Sequence, residues 1–195
     1  MEKMEKSESL TSPTICVLGK GNVGKTSLII RYINNTCPGT HDPTVEDTHS
    51  VTIKVGDSDK TFNILDTAGE EDYQSMADRW IESSSGFLLV LGIDEEDSLA
   101  EAKTKYERIK KNGKDKCPII LVGNKCDLES SRQVKVDAAQ SFANQINSKY
   151  YETSAKTDSN GNVKVVFQEC ARMIYSQQPK IDEIIVKKKC CCNIY

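Results

Sequence analysis

The sequence predicts an α/β protein, a mostly parallel sheet with helices on both faces. Three observations carry this. Apolar runs without polar alternation occur at residues 15–18, 87–91 and 118–122, which suits strands covered on both faces. The segments between them place apolar residues at helical spacing, so strands alternate with helices, as in parallel crossover units. Gly19-Lys20-Gly21-Asn22-Val23-Gly24-Lys25-Thr26 follows the first apolar run and precedes Ser27-Leu28-Ile29-Ile30. It reads G-x-x-x-x-G-K-[ST], the pattern of a phosphate-binding loop between a strand and a helix.

In chain order, residues 13–18 form the first strand and residues 25–34 the first helix. Pro38, Gly39 and Pro43 make residues 36–44 a loop. Residues 49–55 alternate, with Val51, Ile53 and Val55 on one face, and residues 61–65 return after a Gly56-Asp57-Ser58-Asp59 turn, which predicts a hairpin. Residues 70–85 read as polar and irregular, and residues 86–93 as a buried strand. Leu99, Ala102, Tyr106 and Ile109 mark an amphipathic helix. A buried strand at 118–122, a helix at 136–146 and a short strand at 149–152 follow. Val163, Val166, Phe167, Cys170 and Ile174 outline the last helix. Residues 1–12 read as a disordered extension, 13–177 as one globular domain and 178–195 as a flexible tail.

In such sheets ligands bind beyond the carboxyl ends of the strands, where every loop with chemistry is expected here. The glycines of the first loop let successive N–H groups curl toward phosphate oxygens, and the helix starting at Lys25 adds its positive end. Lys25 would reach β- and γ-phosphates, and the Thr26 hydroxyl would hold Mg²⁺. Asp66-Thr67-Ala68-Gly69 closes a strand. Its carboxylate suits Mg²⁺ bound to nucleotide phosphates, and Gly69 could bring a bare N–H to a γ-phosphate. Asn124-Lys125-Cys126-Asp127 ends another strand. The Asp127 carboxylate can accept from both N1–H and N2–H₂ of guanine, a donor pair adenine lacks, which argues against an ATPase. Asn124 can bridge base and loop, the Lys125 stem can cover the ring, and Ala155 and Lys156 can offer N–H groups to the guanine oxygen.

The 195-residue chain carries a net charge of −3 with 28% charged residues, which gives no electrostatic case for nucleic acid. No apolar run approaches the ~20 residues that span a membrane, and residues 1–12 do not read as a secretory signal. Of eight cysteines, Cys16, Cys117, Cys126 and Cys170 sit in apolar segments and read as reduced thiols. With two histidines and no C-x-x-C pair, a zinc site is not expected.

Taken with Asp42-Pro43-Thr44-Val45-Glu46-Asp47 and Glu152-Thr153-Ser154-Ala155-Lys156, these motifs resemble the Ras superfamily of small GTPases, its Ras/Rap-like branch best, over residues 13–177. The resemblance implies a P-loop NTPase of the small G-domain type, with a six-stranded, mostly parallel sheet flanked by about five helices. It implies GTP and GDP binding by Gly19, Gly21, Asn22, Val23, Gly24, Lys25, Thr26 and Ser27, by Thr44 and Gly69, and by Asn124, Lys125, Asp127, Ser154, Ala155 and Lys156. Mg²⁺ would be held by Thr26, Thr44 and Asp66. Lys25, Gly69 and Glu70 would serve catalysis. Asp42, Pro43, Thr44, Val45, Glu46, Asp47 and Thr48 would meet effectors of the Ras-binding type. An exchange factor and a GTPase-activating protein are implied partners, and the chain would be monomeric.

Three departures stand out. Glu70 occupies the place where the family usually has glutamine, which orients the attacking water. A carboxylate can accept from water but cannot donate to the γ-phosphate. A GTP-binding scaffold with little hydrolysis is therefore the alternative to a self-timed switch. Cys37 replaces a phenylalanine that commonly shields guanine. At the end, Cys192-Asn193-Ile194-Tyr195 has the C-a-a-X form of a prenylation signal with an unusual last residue. Cys190 and Cys191 are palmitoylation candidates, and Lys187-Lys188-Lys189 would favour an anionic leaflet. The expected location is the cytoplasmic face of a membrane, the plasma membrane first.

Overall fold

A computed structural model describes residues 12–37, 44, 46–69, 74–158 and 160–177. The elements are β1 (Thr14–Gly19), α1 (Lys25–Asn34), β2 (Glu46–Val55), β3 (Ser58–Thr67), α2 (Gln74–Ser83), β4 (Gly86–Gly92), α3 (Asp97–Lys111), β5 (Ile119–Asn124), α4 (Val136–Gln145), β6 (Lys149–Glu152) and α5 (Asn162–Gln177). The six strands lie in the order β2-β3-β1-β4-β5-β6. Only β2 and β3 pair antiparallel.

The apolar runs build two cores because side chains alternate across a strand. Cys16 and Leu18 of β1, Phe87, Leu89 and Leu91 of β4, and Ile119 and Leu121 of β5 face one side, where α2, α3 and α4 cover them. Ile15 and Val17, Leu88 and Val90, and Ile120 and Val122 face the other, under α1 and α5. A strand buried on both faces has no polar position to spare, so these runs show no alternation. The β2–β3 hairpin turns at Gly56, whose φ of +61° lies in the left-handed region a two-residue turn requires.

Three segments differ from the sequence expectation; one is β3, which runs Ser58–Thr67 rather than 61–65 because Ser58 and Asp59 pair with Val55 and Lys54 instead of turning. Residues 74–83, expected to be irregular, form α2. Its buried Ala77, Trp80 and Ile81 sit on one stripe. That stripe spans barely two turns among polar residues, and its helix is stabilised by docking on the sheet rather than by its own propensity. β2 begins at Glu46 rather than at residue 49, because its ladder with β3 continues to the Glu46–Thr67 pair. The expected hydrophobic face of β2 is present, with Ile53 only 1% exposed. Among the described residues, no helix is long and apolar enough to cross a membrane.

Phe167 of α5 is fully buried and stacks on Tyr32 of α1, ring centroids 4.4 Å apart. It ties both helices of one face together. Replacing Phe167 by alanine is expected to lower the unfolding free energy by about 3–5 kcal/mol. Urea denaturation with saturating nucleotide checks this, and a loss below about 1 kcal/mol would remove Phe167 from the role assigned to it.

Candidate functional site

The carboxyl ends of β1, β3 and β5 reach one edge of the sheet. The register places Gly19 opposite Val90 and Asn124 opposite Gly92. A cleft of about 260 Å³ opens there, lined by Gly21, Asn22, Gly24, Lys25, Thr26, Ser27, Thr44, Thr67, Ala68 and Gly69. Three segments distant in sequence thus share one wall, as the motifs lead one to expect.

The phosphate loop is shaped by contacts that exclude larger residues. A Cβ on Gly19 would fall 2.2 Å from the Val90 carbonyl oxygen. Gly24 has φ +89°, and a Cβ there would meet the Asn124 amide nitrogen at 2.5 Å. Gly24 precedes α1 and supplies no side-chain cap to the helix's first amides. A helix start of this kind suits an anion. Lys25, 6% exposed, donates from Nζ to the Lys20 carbonyl at 2.9 Å and to the Gly19 carbonyl at 3.2 Å. Those bonds fold its ammonium back over the loop.

The other two segments close on this loop. A Cβ on Gly69 would lie 2.3 Å from the Gly21 nitrogen, a clash with backbone that no rotamer relieves. The Thr26 and Thr44 hydroxyls are 3.0 Å apart. Asp66, 1% exposed, ends β3 beside Thr67, whose hydroxyl donates to the Val17 carbonyl at 2.7 Å. The Thr26 and Thr44 hydroxyls lie together, and Asp66 ends its strand next to cleft-lining Thr67; oxygens of this kind would fit a hard cation such as Mg²⁺.

The base-recognition loops are joined to the phosphate loop through Asn124. Its Nδ2 donates to the Val23 carbonyl at 2.8 Å. Its Oδ1 accepts from the Ala155 amide and the Thr153 hydroxyl, both at 3.2 Å. Ser154 donates from its hydroxyl to Asp127 Oδ1 at 2.6 Å, which fixes the carboxylate plane. Arg31 of α1 holds the same loop from the other side, donating to the Ala155 carbonyl at 2.7 Å and the Lys156 carbonyl at 2.6 Å.

Asp94 and Glu95, just past β4, form a two-carboxylate clip. Asp94 Oδ2 pairs with Lys125 Nζ at 2.9 Å, and Glu95 pairs with Lys20. The Glu95 hydrogen bond raises the Lys20 ammonium above its ordinary range. One short loop therefore holds a lysine from the phosphate loop and one from the guanine loop. Sequence reading missed Arg31, Asp94 and Glu95, and named Thr153 within a motif without giving it a role. Their one local signal is that Asp94 and Glu95 follow a strand's carboxyl end; their partners lie up to 125 positions away.

Glu46, Asp47 and Thr48 are exposed on β2, which forms one edge of the sheet. Glu46 also accepts from the indole N–H of buried Trp80 at 2.9 Å, linking β2 to α2. Asp47 Oδ1 accepts from the Thr48 amide at 2.8 Å. Glu70, Asp42, Pro43, Val45, Cys190, Cys191 and Cys192 lie outside the described residues.

The Ras family model matches residues 14–176. The Ras-like protein rasU of Dictyostelium discoideum is 34% identical over 182 residues, covering 93% of this chain and 84% of the relative.

Asn124→Ala severs bonds to two loops in a buried site, at a cost of about 2 kcal/mol or more, so guanine nucleotide affinity is expected to fall about 30-fold. Glu95→Ala removes a solvent-screened pair and should change affinity less than about fivefold. Fluorescent GDP titration of both variants checks this, and equal losses would contradict a hub at Asn124.

Proposed function

The chain belongs to the Ras family of small GTPases, and we propose that it is a switch that binds GTP with Mg²⁺, hydrolyses it and changes its effector edge as it does so. The observation that carries this reading is the meeting of Thr44 and Gly69 with the phosphate loop in one cleft. Both segments come to the place a γ-phosphate would occupy, so its loss would release them together, an order–disorder switch.

The residues divide the work by position. The loop amides and the start of α1 bind the phosphates, and Lys25 places its charge on the β- and γ-oxygens. Thr26, Thr44 and Asp66 would hold Mg²⁺, which when bound neutralises charge on the phosphate oxygens. The Gly69 N–H orients the γ-phosphate for in-line attack by water. Glu70, next in sequence, accepts a hydrogen bond from that water or takes its proton as general base. The Asp127 carboxylate, oriented by Ser154, takes the two donors of guanine and leaves adenine unpaired. GTP rather than ATP follows from that pairing.

The exposed start of β2 fits strand addition by Ras-binding-type effector domains, with Glu46 and Asp47 facing basic side chains. An exchange factor and an activating protein would set the nucleotide state. The tail would attach the protein to the cytoplasmic face of a membrane, the plasma membrane first, through a prenyl group on Cys192 and acylation at Cys190 and Cys191. A GTP-binding scaffold with little turnover is the second reading, and Glu70 is the feature that favours it.

Single-turnover hydrolysis of bound GTP with Mg²⁺ separates the two. Phosphate release is expected at a measurable rate, and bound GTP that stays intact would favour the scaffold. Glu70→Gln is expected to gain more from an arginine-finger activator than the parent protein gains; equal stimulation would refute that role for Glu70. Cys37 is exposed and too small to cover a guanine ring. Cys37→Phe is therefore expected to slow GDP release, read by fluorescent-nucleotide chase, and an unchanged rate would rule out the missing ring as a determinant.

A further inference from the structure

The end of the sheet opposite the nucleotide loops carries its own charge. Between residues 103 and 116 the chain has seven basic residues against two carboxylates, Glu107 and Asp115. The basic residues along the body of α3 are engaged. Lys105 pairs with Glu101 at 2.9 Å, Arg108 with Asp78 at 2.7 Å, and Lys103 lies 5.7 Å from the centroid of the Phe142 ring.

Those at its end form no close ion pair among the described residues, although the Asp78 carboxyl, held low by hydrogen bonds from Arg108 and Asn112, is lowered further by nearby Lys111. Among the described residues, no carboxylate pairs with Lys110, Lys111, Lys114 or Lys116. Lys110, Lys111 and Lys116 are exposed, while Lys114 donates to the Ser84 carbonyl at 3.1 Å. The negative end of the α3 dipole accounts for lysines in its last turn. It does not account for Lys114 and Lys116, which lie beyond the helix.

We propose that this cluster is a docking surface for an anionic membrane leaflet, built into the folded domain and distinct from the tail. The proposal deepens the membrane reading above and rests on it. Three observations favour lipid as the occupant. The last described residue, Gln177, donates from its side-chain amide to the Lys116 carbonyl at 3.2 Å, so the chain leaves the domain at the patch. Lys187-Lys188-Lys189 begins ten residues later, within about 36 Å even when fully extended. Tail and patch can therefore meet one plane. The cluster presents point charges on flexible stems, which match a diffuse anionic surface rather than one defined ligand. Docking here leaves the nucleotide cleft and the start of β2 at the opposite end, because the crossover through α3 returns the chain to the amino ends of the parallel strands and Glu46 pairs with Thr67 at their carboxyl ends.

Vesicle co-sedimentation of the full chain without attached lipid tests this, comparing phosphatidylcholine vesicles with and without phosphatidylserine. Binding is expected only with phosphatidylserine and should fade as salt rises. Lys110→Gln, Lys111→Gln and Lys116→Gln together should weaken it about 100-fold, at roughly fivefold per lysine, while GDP release stays unchanged. Lys187→Gln, Lys188→Gln and Lys189→Gln should weaken it independently. If the patch variant binds as the parent does, the tail alone carries the attraction and the proposal is overturned. Absence of parent binding to phosphatidylserine vesicles also overturns it and would point to an acidic protein face instead. Lipid attachment is read separately by intact mass, so a missing prenyl group would refute the tail reading without touching the vesicle result.

Discussion

The site depends on one buried amide. Asn124 spends its donor on the Val23 carbonyl and its acceptor on the Ala155 amide and the Thr153 hydroxyl. The loop with the phosphate-binding pattern and the two loops expected to meet the base therefore share one side chain at 1% exposure. An amide is the side chain that can do this, because it carries a donor and an acceptor on one rigid plane. An aspartate would lose the Val23 bond, and a leucine would leave two loops unsatisfied in a dry place. The two-carboxylate clip and Arg31 reinforce the same geometry from outside, with weaker, partly solvated contacts.

The sheet makes this convergence possible and also separates the protein's two ends. Parallel strands bring every carboxyl terminus to one edge, where backbone amides and a helix start attract anions. The helices return the chain to the other edge, where Gln177 at the end of α5 bonds the loop that follows α3 and lysines without a close ion pair collect. The proposed chemistry at one end and the proposed membrane attraction at the other draw on different residues. Between them, the Glu46–Trp80 bond joins the exposed edge strand to α2, which follows Gly69 in the chain. A shift of α2 therefore bears on the first residue of β2.

The phosphate loop, the hairpin and the buried strands were legible because each is a local pattern. Glycine spacing, alternation and unbroken apolar runs follow from backbone sterics and from burial of one or two faces. α2 was not legible, because Ala77, Trp80 and Ile81 make too short a stripe to stand out from Gln, Asp, Arg and Glu around them. Its helical state is settled by the sheet it covers. The pairing of Lys20 with Glu95 and of Lys125 with Asp94 was equally hidden, since a lysine in a loop reads as solvated until its neighbour is known.

By itself the sequence determined the α/β class, the family resemblance and the residue types of a guanine nucleotide site, because those depend on short motifs whose chemistry is fixed by spacing along the chain. Only the tertiary structure decided that Asn124 is the hub, that Gly69 abuts Gly21, and that Arg108 and Lys105 form ion pairs while Lys110, Lys111 and Lys116 form none among the described residues. These are contacts between segments up to a hundred residues apart. Their existence depends on which strand ends the sheet brings to one edge, a property no local stretch of the chain contains.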